Sequence, residues 1–271
     1  MSILMTKYSD VIPSDVRSTI SSRYKTVTKA INQEFWSSAS DTLHSFYVGS
    51  YGRGTAASTS DIDILIEIPK AEYNRYDNVY GNGQSRFLQA VKSAIQVSFP
   101  RSDVRADGQV VKINFSDGIY FEVLPAFKGI DWYGIESYTY PDTNMGGNWK
   151  SANPKAEQDE MKRKNNSSNG LLFDTCKHLR KIRDNYFSSY HLSGIVIDSF
   201  VYAAMGQWQW PIKGDSSSAA FGDYERVLHN YLHQSILSWP YNSLKAPGSG
   251  QIVDAVSSME CLNKVLNKII D

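Results

Sequence analysis

The stretch Gly49-Ser50-Tyr51-Gly52-Arg53-Gly54-Thr55, closely followed by Ser60-Asp61-Ile62-Asp63-Ile64-Leu65, holds the residue types from which phosphate chemistry is built. A Gly-Ser turn leaving a strand lets backbone N–H groups and a hydroxyl approach phosphate oxygens with no side chain in the way. Asp61 and Asp63, at i and i+2 on a strand, project from one face about 7 Å apart, given a rise of about 3.3 Å per residue. Such a pair suits Mg²⁺, which takes carboxylate and phosphate oxygens. A third carboxylate would complete a two-metal site for in-line phosphoryl transfer, one metal activating the attacking hydroxyl and the other neutralising the leaving group. Glu122 is the candidate: it alternates with Phe121 and Val123 and so faces away from the core. Asp103 and Asp107 are the next carboxylates to consider.

The elements that must position these groups are legible as hydrophobic periodicity. Val16, Ile20, Tyr24, Val27, Ile31 and Phe35 recur at spacings of three and four, which predicts a long helix starting near Ser14. His44–Val48 reads as a short strand running into the Gly-Ser turn, and Asp61–Ile68 as a second strand with Ile62, Ile64 and Ile66 on the opposite face from the aspartates. Phe87, Val91, Ala94 and Ile95 suggest a helix ending before Pro100. Val111, Ile113 and Phe115 alternate up to Asp117-Gly118, a tight-hairpin signal, with Tyr120–Leu124 as the return strand. Pro141–Asn169 has little periodicity and reads as a connection. Four helices are expected beyond it: Leu172–Tyr186, Gly194–Gln207, Tyr224–Ser238 and Ile252–Ile270. The layout is an α/β N-terminal lobe, residues 1–145, whose long first helix could bridge both lobes, then a helical lobe, residues 146–271.

Composition excludes several classes. With 28 Lys+Arg against 28 Asp+Glu, the formal charge is zero, so the whole surface is not a nucleic-acid or membrane glue, although a local basic channel remains open and direct nucleic-acid binding is unsettled. At 41% hydrophobic residues, wholesale disorder is excluded. The longest apolar run, Gly194–Met205, is broken by Asp198 and falls short of the roughly 20 residues of a membrane span. The absence of a signal-peptide pattern and two isolated cysteines, Cys176 and Cys261, point to a cytoplasmic protein without membrane attachment. Basic residues outnumber acidic ones over residues 150–190, and Lys177 and Arg180 sit at i and i+3 on a helix; Lys162-Arg163-Lys164 reads instead as a solvated run. His229 and His233 have a zinc-compatible i, i+4 spacing, but with no intervening Glu and no Cys pair they read as ordinary helix-face residues. Tyr51, Tyr133, Tyr190 and Tyr202 are candidates for base stacking, and the sequence does not choose among them.

GSYGRGT, SDIDILI and FEVLPAF together resemble the DNA polymerase β-like nucleotidyltransferase superfamily and, within it, the CD-NTases (cGAS/DncV-like enzymes) of bacterial CBASS anti-phage systems. The resemblance continues through YPDTNMGGNWKSANPKAE, LLFDTCKHLRKIRDNY, LSGIVIDSFVY and APGSG, so it spans about Tyr47 to Gly250. It implies an α+β fold: a nucleotidyltransferase lobe with a mixed sheet and flanking helices, a C-terminal helical lobe, and the active site in the cleft between them. It implies two Mg²⁺ ions, with Mn²⁺ as a substitute, held by Asp61, Asp63 and Glu122. The family more often has Asp at the third position. Gly49 and Ser50 would hold the donor triphosphate, Arg180 would grip it from the second lobe with Lys177 one turn earlier, and Ser193 or Gly194 would fall near a further phosphate contact. The implied substrates are NTPs (ATP and/or GTP, with UTP a further option), and the implied product is a cyclic di- or trinucleotide that activates an effector protein.

Two other functions stay open. One is a nucleotidyltransferase that makes linear oligonucleotides or modifies an RNA, protein or small-molecule acceptor. The other is a nucleotide-binding sensor without catalysis, which three carboxylates disfavour, since a pure binder needs no two-metal arrangement.

Overall fold

A computed structural model describes residues 4–8, 12–57, 61–212, 219–236 and 244–270. The chain forms two units that interleave in sequence: Ile12–Gly52 with Ser60–Pro154, and Met1–Val11 with Arg53–Thr59 and Lys155–Asp271. The sequence had suggested a single boundary between residues 145 and 146. Ser60 of the SDIDILI motif and the expected end of the third late helix at Ser238 lie outside the described residues.

The first unit is strand-rich. It opens with α1 (Ser14–Phe35) and continues through β1 (Ser45–Tyr47), the single turn α2 (Gly49–Gly52), β2 (Ile62–Glu67), α3 (Lys70–Asp77) and α4 (Gly83–Ser98). β3 (Asp103–Asp107), β4 (Val110–Asn114), β5 (Tyr120–Ile130), β6 (Glu136–Asp142) and β7 (Asn148–Ala152) follow. The sheet runs β1-β2-β5-β4-β3, with β6 pairing the far half of β5 and β7 pairing β6. The β2–β5 pair is parallel and the others are antiparallel, as a mixed sheet requires. The stripe expected on α1 packs down: Ile20, Val27 and Ile31 join Ile62, Ile64 and Ile66 of β2 and Phe87 and Val91 of α4 in one core. β2 is buried on its other face as well, where Leu65 meets Ala126 and Tyr138. The Asp117-Gly118 hairpin closes as expected, with Gly118 at φ 82° and Arg23 of α1 donating two bonds to Asp117.

The second unit is helical: α5 (Pro154–Ser167), α6 (Leu171–Tyr186), α7 (Gly194–Ala204), α8 (Asp223–Ile236) and α9 (Met259–Ile270), with β8 (Leu244–Lys245) and β9 (Ile252–Val253) as a small antiparallel pair. Leu172, Cys176, Leu179, Val196, Ile197, Phe200, Leu228, Leu262 and Leu266 form its core. Pro141–Asn169 is not a plain connection, because it contains β7 and α5. Both elements are mostly polar, and α5 buries little beyond Met161 and Glu157, so they leave no apolar period to read. The last helix starts at Met259 instead of Ile252, which belongs to β9. The APGSG segment turns between β8 and β9 against α5: a Cβ on Gly248, at φ 71°, would stand 2.1 Å from the Ala156 carbonyl oxygen. Among the described residues no helix is long and apolar enough to cross a membrane.

Candidate active site

Pairing between β2, β5 and β4 aligns the chemistry-bearing side chains in rows, because residues opposite one another in a ladder share a face of the sheet. Asp63 of β2 lies opposite Glu122 of β5, and Glu122 lies opposite Lys112 of β4. Asp61 immediately precedes β2 with the same parity as Asp63, and Tyr120 of β5 lies opposite Asn114 of β4. Asp61, Lys112, Asn114, Tyr120 and Glu122 line an open notch of about 200 Å³. The sheet therefore brings Asp61, Asp63 and Glu122 to one face. Their opposite neighbours Ile62, Ile64, Phe121 and Val123 are locked into the core, which fixes the register of all three.

The Gly-Ser turn is bound to the same strand. Val48 N–H donates to the Asp63 carbonyl (2.9 Å), and Gly52 N–H donates back to the Val48 carbonyl (2.8 Å). Gly49 has φ 59°, and a Cβ there would stand 1.8 Å from Asp63 Oδ2. Glycine is thus required twice, for the left-handed backbone and for the space that the Asp63 carboxylate occupies. Ser50 follows, half-buried on the same turn.

One cation already faces the carboxylates. Lys112 Nζ stands 3.5 Å from Glu122 Oε1 and 2.8 Å from Asp107 Oδ2. Desolvation pushes the Asp61 carboxyl above its ordinary value, and the charge of Lys112 opposes that rise. Asp103 does not line the notch; it accepts from Arg105 Nε (2.7 Å) and from Nδ2 of the notch residue Asn114 (2.9 Å). Among the described residues no three His, Cys, Asp or Glu side chains close into a metal cage by themselves. The donors are nevertheless of the right kind for Mg²⁺, all carboxylate oxygens beside a turn with no side chain at Gly49. Mg²⁺ ordinarily completes its shell with substrate phosphates and water instead of an all-protein cage.

Lys177, Arg180 and Ser193 belong to the helical unit. Arg180 corrects the expectation of a triphosphate grip, since it is 1% exposed and its donors are committed. Its Nη1 donates to Asp198 Oδ1 (2.7 Å) and its Nη2 to the Gly194 carbonyl (2.9 Å). Asp198 also accepts from Arg53 Nε (2.8 Å) and Thr55 Oγ1 (2.9 Å), while Arg53 Nη1 reaches Glu157 Oε2 (3.1 Å). Burial by itself would raise the Asp198 carboxyl; Arg180 and Arg53 more than reverse this and hold it down to about 2. Sequence reasoning missed this cluster, although Asp198 inside an apolar run was its visible signal, because a carboxylate is buried only when paired. Lys177, on the same helix, is half-buried, and Ser193 stands at the N-cap position of α7 without a side-chain cap bond, its N–H donating to Ser258 Oγ (3.1 Å). Of the four tyrosines, Tyr51 packs on Tyr47, Tyr202 bonds Glu160, Tyr190 lies under Lys264, and Tyr133 stands exposed beyond β5.

Residues 2–165, more than half of the chain, match the family model described as Second Messenger Oligonucleotide or Dinucleotide Synthetase domain. The fold is similar to that of a STING-associated CdnE c-di-GMP synthase from Capnocytophaga granulosa, with a TM-score of 0.64 and 16% identity over 94% of this chain and 80% of that one. It is also similar to the Rhodothermus marinus CdnE c-UMP-AMP synthase with Apcpp and Upnpp (TM-score 0.63, 14% identity, 93% and 91% coverage). The Bradyrhizobium diazoefficiens CD-NTase CdnG in complex with GTP gives a TM-score of 0.65 at 10% identity, over 95% of this chain and 86% of that one. No curated protein sequence matches the chain.

Proposed function

The chain belongs to the second messenger oligonucleotide or dinucleotide synthetase family and is a nucleotidyltransferase, and on that premise we propose that it joins ATP and/or GTP, or UTP, into a cyclic di- or trinucleotide for anti-phage signalling through an effector protein. The observation that carries this reading is the alignment of Asp63 with Glu122 across parallel strands, with Asp61 on the same face and side-chain-free Gly49 against the Asp63 carboxylate.

Asp61, Asp63 and Glu122 would hold the divalent cations, two Mg²⁺ by the chemistry of the donor set, and bound ions would supply charge neutralisation and a lowered hydroxyl pKa. The residues themselves do the positioning. Asp63, fixed by the β2–β5 register and by Gly49, sets where the reacting phosphate can lie relative to the turn. The hydroxyl of Ser50 and the open backbone of Gly49 face donor phosphates. Glu122, opposite both Asp63 and Lys112 and with Lys112 Nζ 3.5 Å from its Oε1, would draw off the proton of an attacking hydroxyl. Lys177, half-buried on α6, would be the basic residue that meets a triphosphate in place of the occupied Arg180.

The test is incubation with a divalent cation and all four NTPs, then phosphatase treatment and mass spectrometry. A phosphatase-resistant product without the extra mass of water carried by a linear oligomer, absent from Asp61→Asn, is the expected result. A ladder of trimmed linear oligomers would replace cyclisation with linear synthesis, and transfer only to an added acceptor would overturn the reading.

A further inference from the structure

We propose that His229 and His233 of α8, with Asn267 of α9, form a surface site for a divalent transition metal of the Zn²⁺, Cu²⁺ and Ni²⁺ group, separate from the carboxylate site and not served by Mg²⁺. Two nitrogens and one oxygen stand there in succession, each within hydrogen-bond distance of the next. His233 Nε2 lies 3.0 Å from His229 Nε2, which lies 2.9 Å from Asn267 Oδ1. The two rings face one another with centroids 4.2 Å apart, as the i, i+4 spacing on one helix face allows.

Hydrogen bonding alone does not satisfy this arrangement. A neutral imidazole nitrogen carries either one hydrogen or one lone pair. If His229 Nε2 donates to Asn267 Oδ1, that single hydrogen must also serve His233. If it accepts from His233 instead, its lone pair is set against the lone pairs of Oδ1. A cation among them resolves both conflicts, since it takes a lone pair from each of the three atoms, with the ring hydrogens on Nδ1. The spacing suits this: two nitrogens bound at about 2.0–2.1 Å at an angle of 90–109° stand roughly 2.8–3.4 Å apart. Imidazole and an amide oxygen suit Zn²⁺, Cu²⁺ or Ni²⁺, whereas Mg²⁺ takes oxygen ligands and keeps its waters. The lysines on either side of Asn267 do not compete by their contacts: Lys264 lies over the Tyr190 ring and Lys268 over the Tyr186 ring. With ligands on α8 and α9, a bound ion ties two helices of the same unit together.

The test uses the tag-free full chain in millimolar Mg²⁺, which keeps the carboxylates from scavenging the probe. Isothermal titration with Zn²⁺ should show a single equivalent bound, and the melting temperature should rise with Zn²⁺, because an ion that binds the folded state stabilises it. His229→Ala and His233→Ala should each weaken binding by roughly tenfold or more, since even residues that only support a metal ligand are worth that much. Asn267→Ala should weaken it less. The Cu²⁺ form should show two equivalent nitrogens by electron paramagnetic resonance, reduced to one in His233→Ala. His233 is exposed and His229 half-buried, so metal-free melting of His233→Ala should match that of the original chain, and a loss of binding in that variant is then a loss of ligand. Zn²⁺ binding unchanged in the double variant His229→Ala/His233→Ala, or no binding above that variant, would overturn the proposal.

Discussion

Replacing Arg180 with Ala should destabilise the helical unit far more than it perturbs nucleotide binding. The side chain is 1% exposed and is shared among Asp198 and the Cys176 and Gly194 carbonyls, so its removal deletes three charge-assisted bonds and leaves Asp198 Oδ1 without its partner. Removing one member of a buried ion pair costs about 3–5 kcal/mol. Asp198 keeps Arg53 and Thr55, which places the expected loss near the lower end, about 3 kcal/mol. At about 2–4 °C per kcal/mol for a chain of this size class, the melting temperature should fall by roughly ten degrees. Circular dichroism melts of the full chain measure this, and initial rates against NTP concentration at a temperature where both proteins are folded measure the apparent KM. Lys177→Ala, half-buried on the same helix, is the control: stability within about 0.5 kcal/mol of the original and a raised KM. An Arg180→Ala protein that melts with the original chain yet needs much more NTP would refute the reasoning, because a guanidinium able to grip substrate cannot be sequestered by Asp198.

Three further outcomes follow from the geometry. Gly49→Ala should cut turnover severely with little loss of secondary structure, because the new Cβ would stand 1.8 Å from Asp63 Oδ2 at φ 59°; near-normal rates would mean that the Asp63 carboxylate need not sit against the turn. Asp61→Asn and Asp63→Asn should abolish product formation while leaving the melting curve intact, and Glu122→Gln should do the same whereas Glu122→Asp keeps part of the activity; a fully active Glu122→Gln would move the third ligand elsewhere. Asp198 has its carboxyl depressed from 3.8 to about 2 in the folded state, so its contribution is present above about pH 4 and is lost as pH falls towards 2. That shift corresponds to about 2 kcal/mol, readable as a urea midpoint that drops over this window in the original chain and drops less in Asp198→Asn.

The carboxylate face was legible because everything that builds it is local or periodic. Alternation of Ile62, Ile64 and Ile66 fixes which way Asp61 and Asp63 point, and alternation of Phe121 and Val123 does the same for Glu122. Only the parallel pairing that sets Asp63 beside Glu122 lies beyond such a pattern. The same holds for α1, the Asp117-Gly118 hairpin and the starts of α6, α7 and α8, each of which has an apolar face repeating at its own period. β7 and α5 have no such face, since they earn their place through edge pairing and ion pairs, and sequence periodicity carries no trace of either.

Arg180 shows why a motif position and a role differ. Alignment with a family places a basic residue on a helix face, but whether its guanidinium meets phosphate or Asp198 depends on a carboxylate 18 residues away and on Arg53, which is 145 residues from Asp198 in sequence. The same dependence divides the GSYGRGT motif. Its first four residues fold with β1 and β2, whereas Arg53, Gly54 and Thr55 are counted with the helical unit, where Arg53 and Thr55 serve Asp198. Arg53 is therefore bound at its backbone to Gly52, which ends the Gly-Ser turn, and at its side chain to a buried carboxylate. Any change at Asp198 must act on the exit of that turn as well as on the stability of α7, so a kinetic defect in an Asp198 variant would not by itself make Asp198 a substrate ligand.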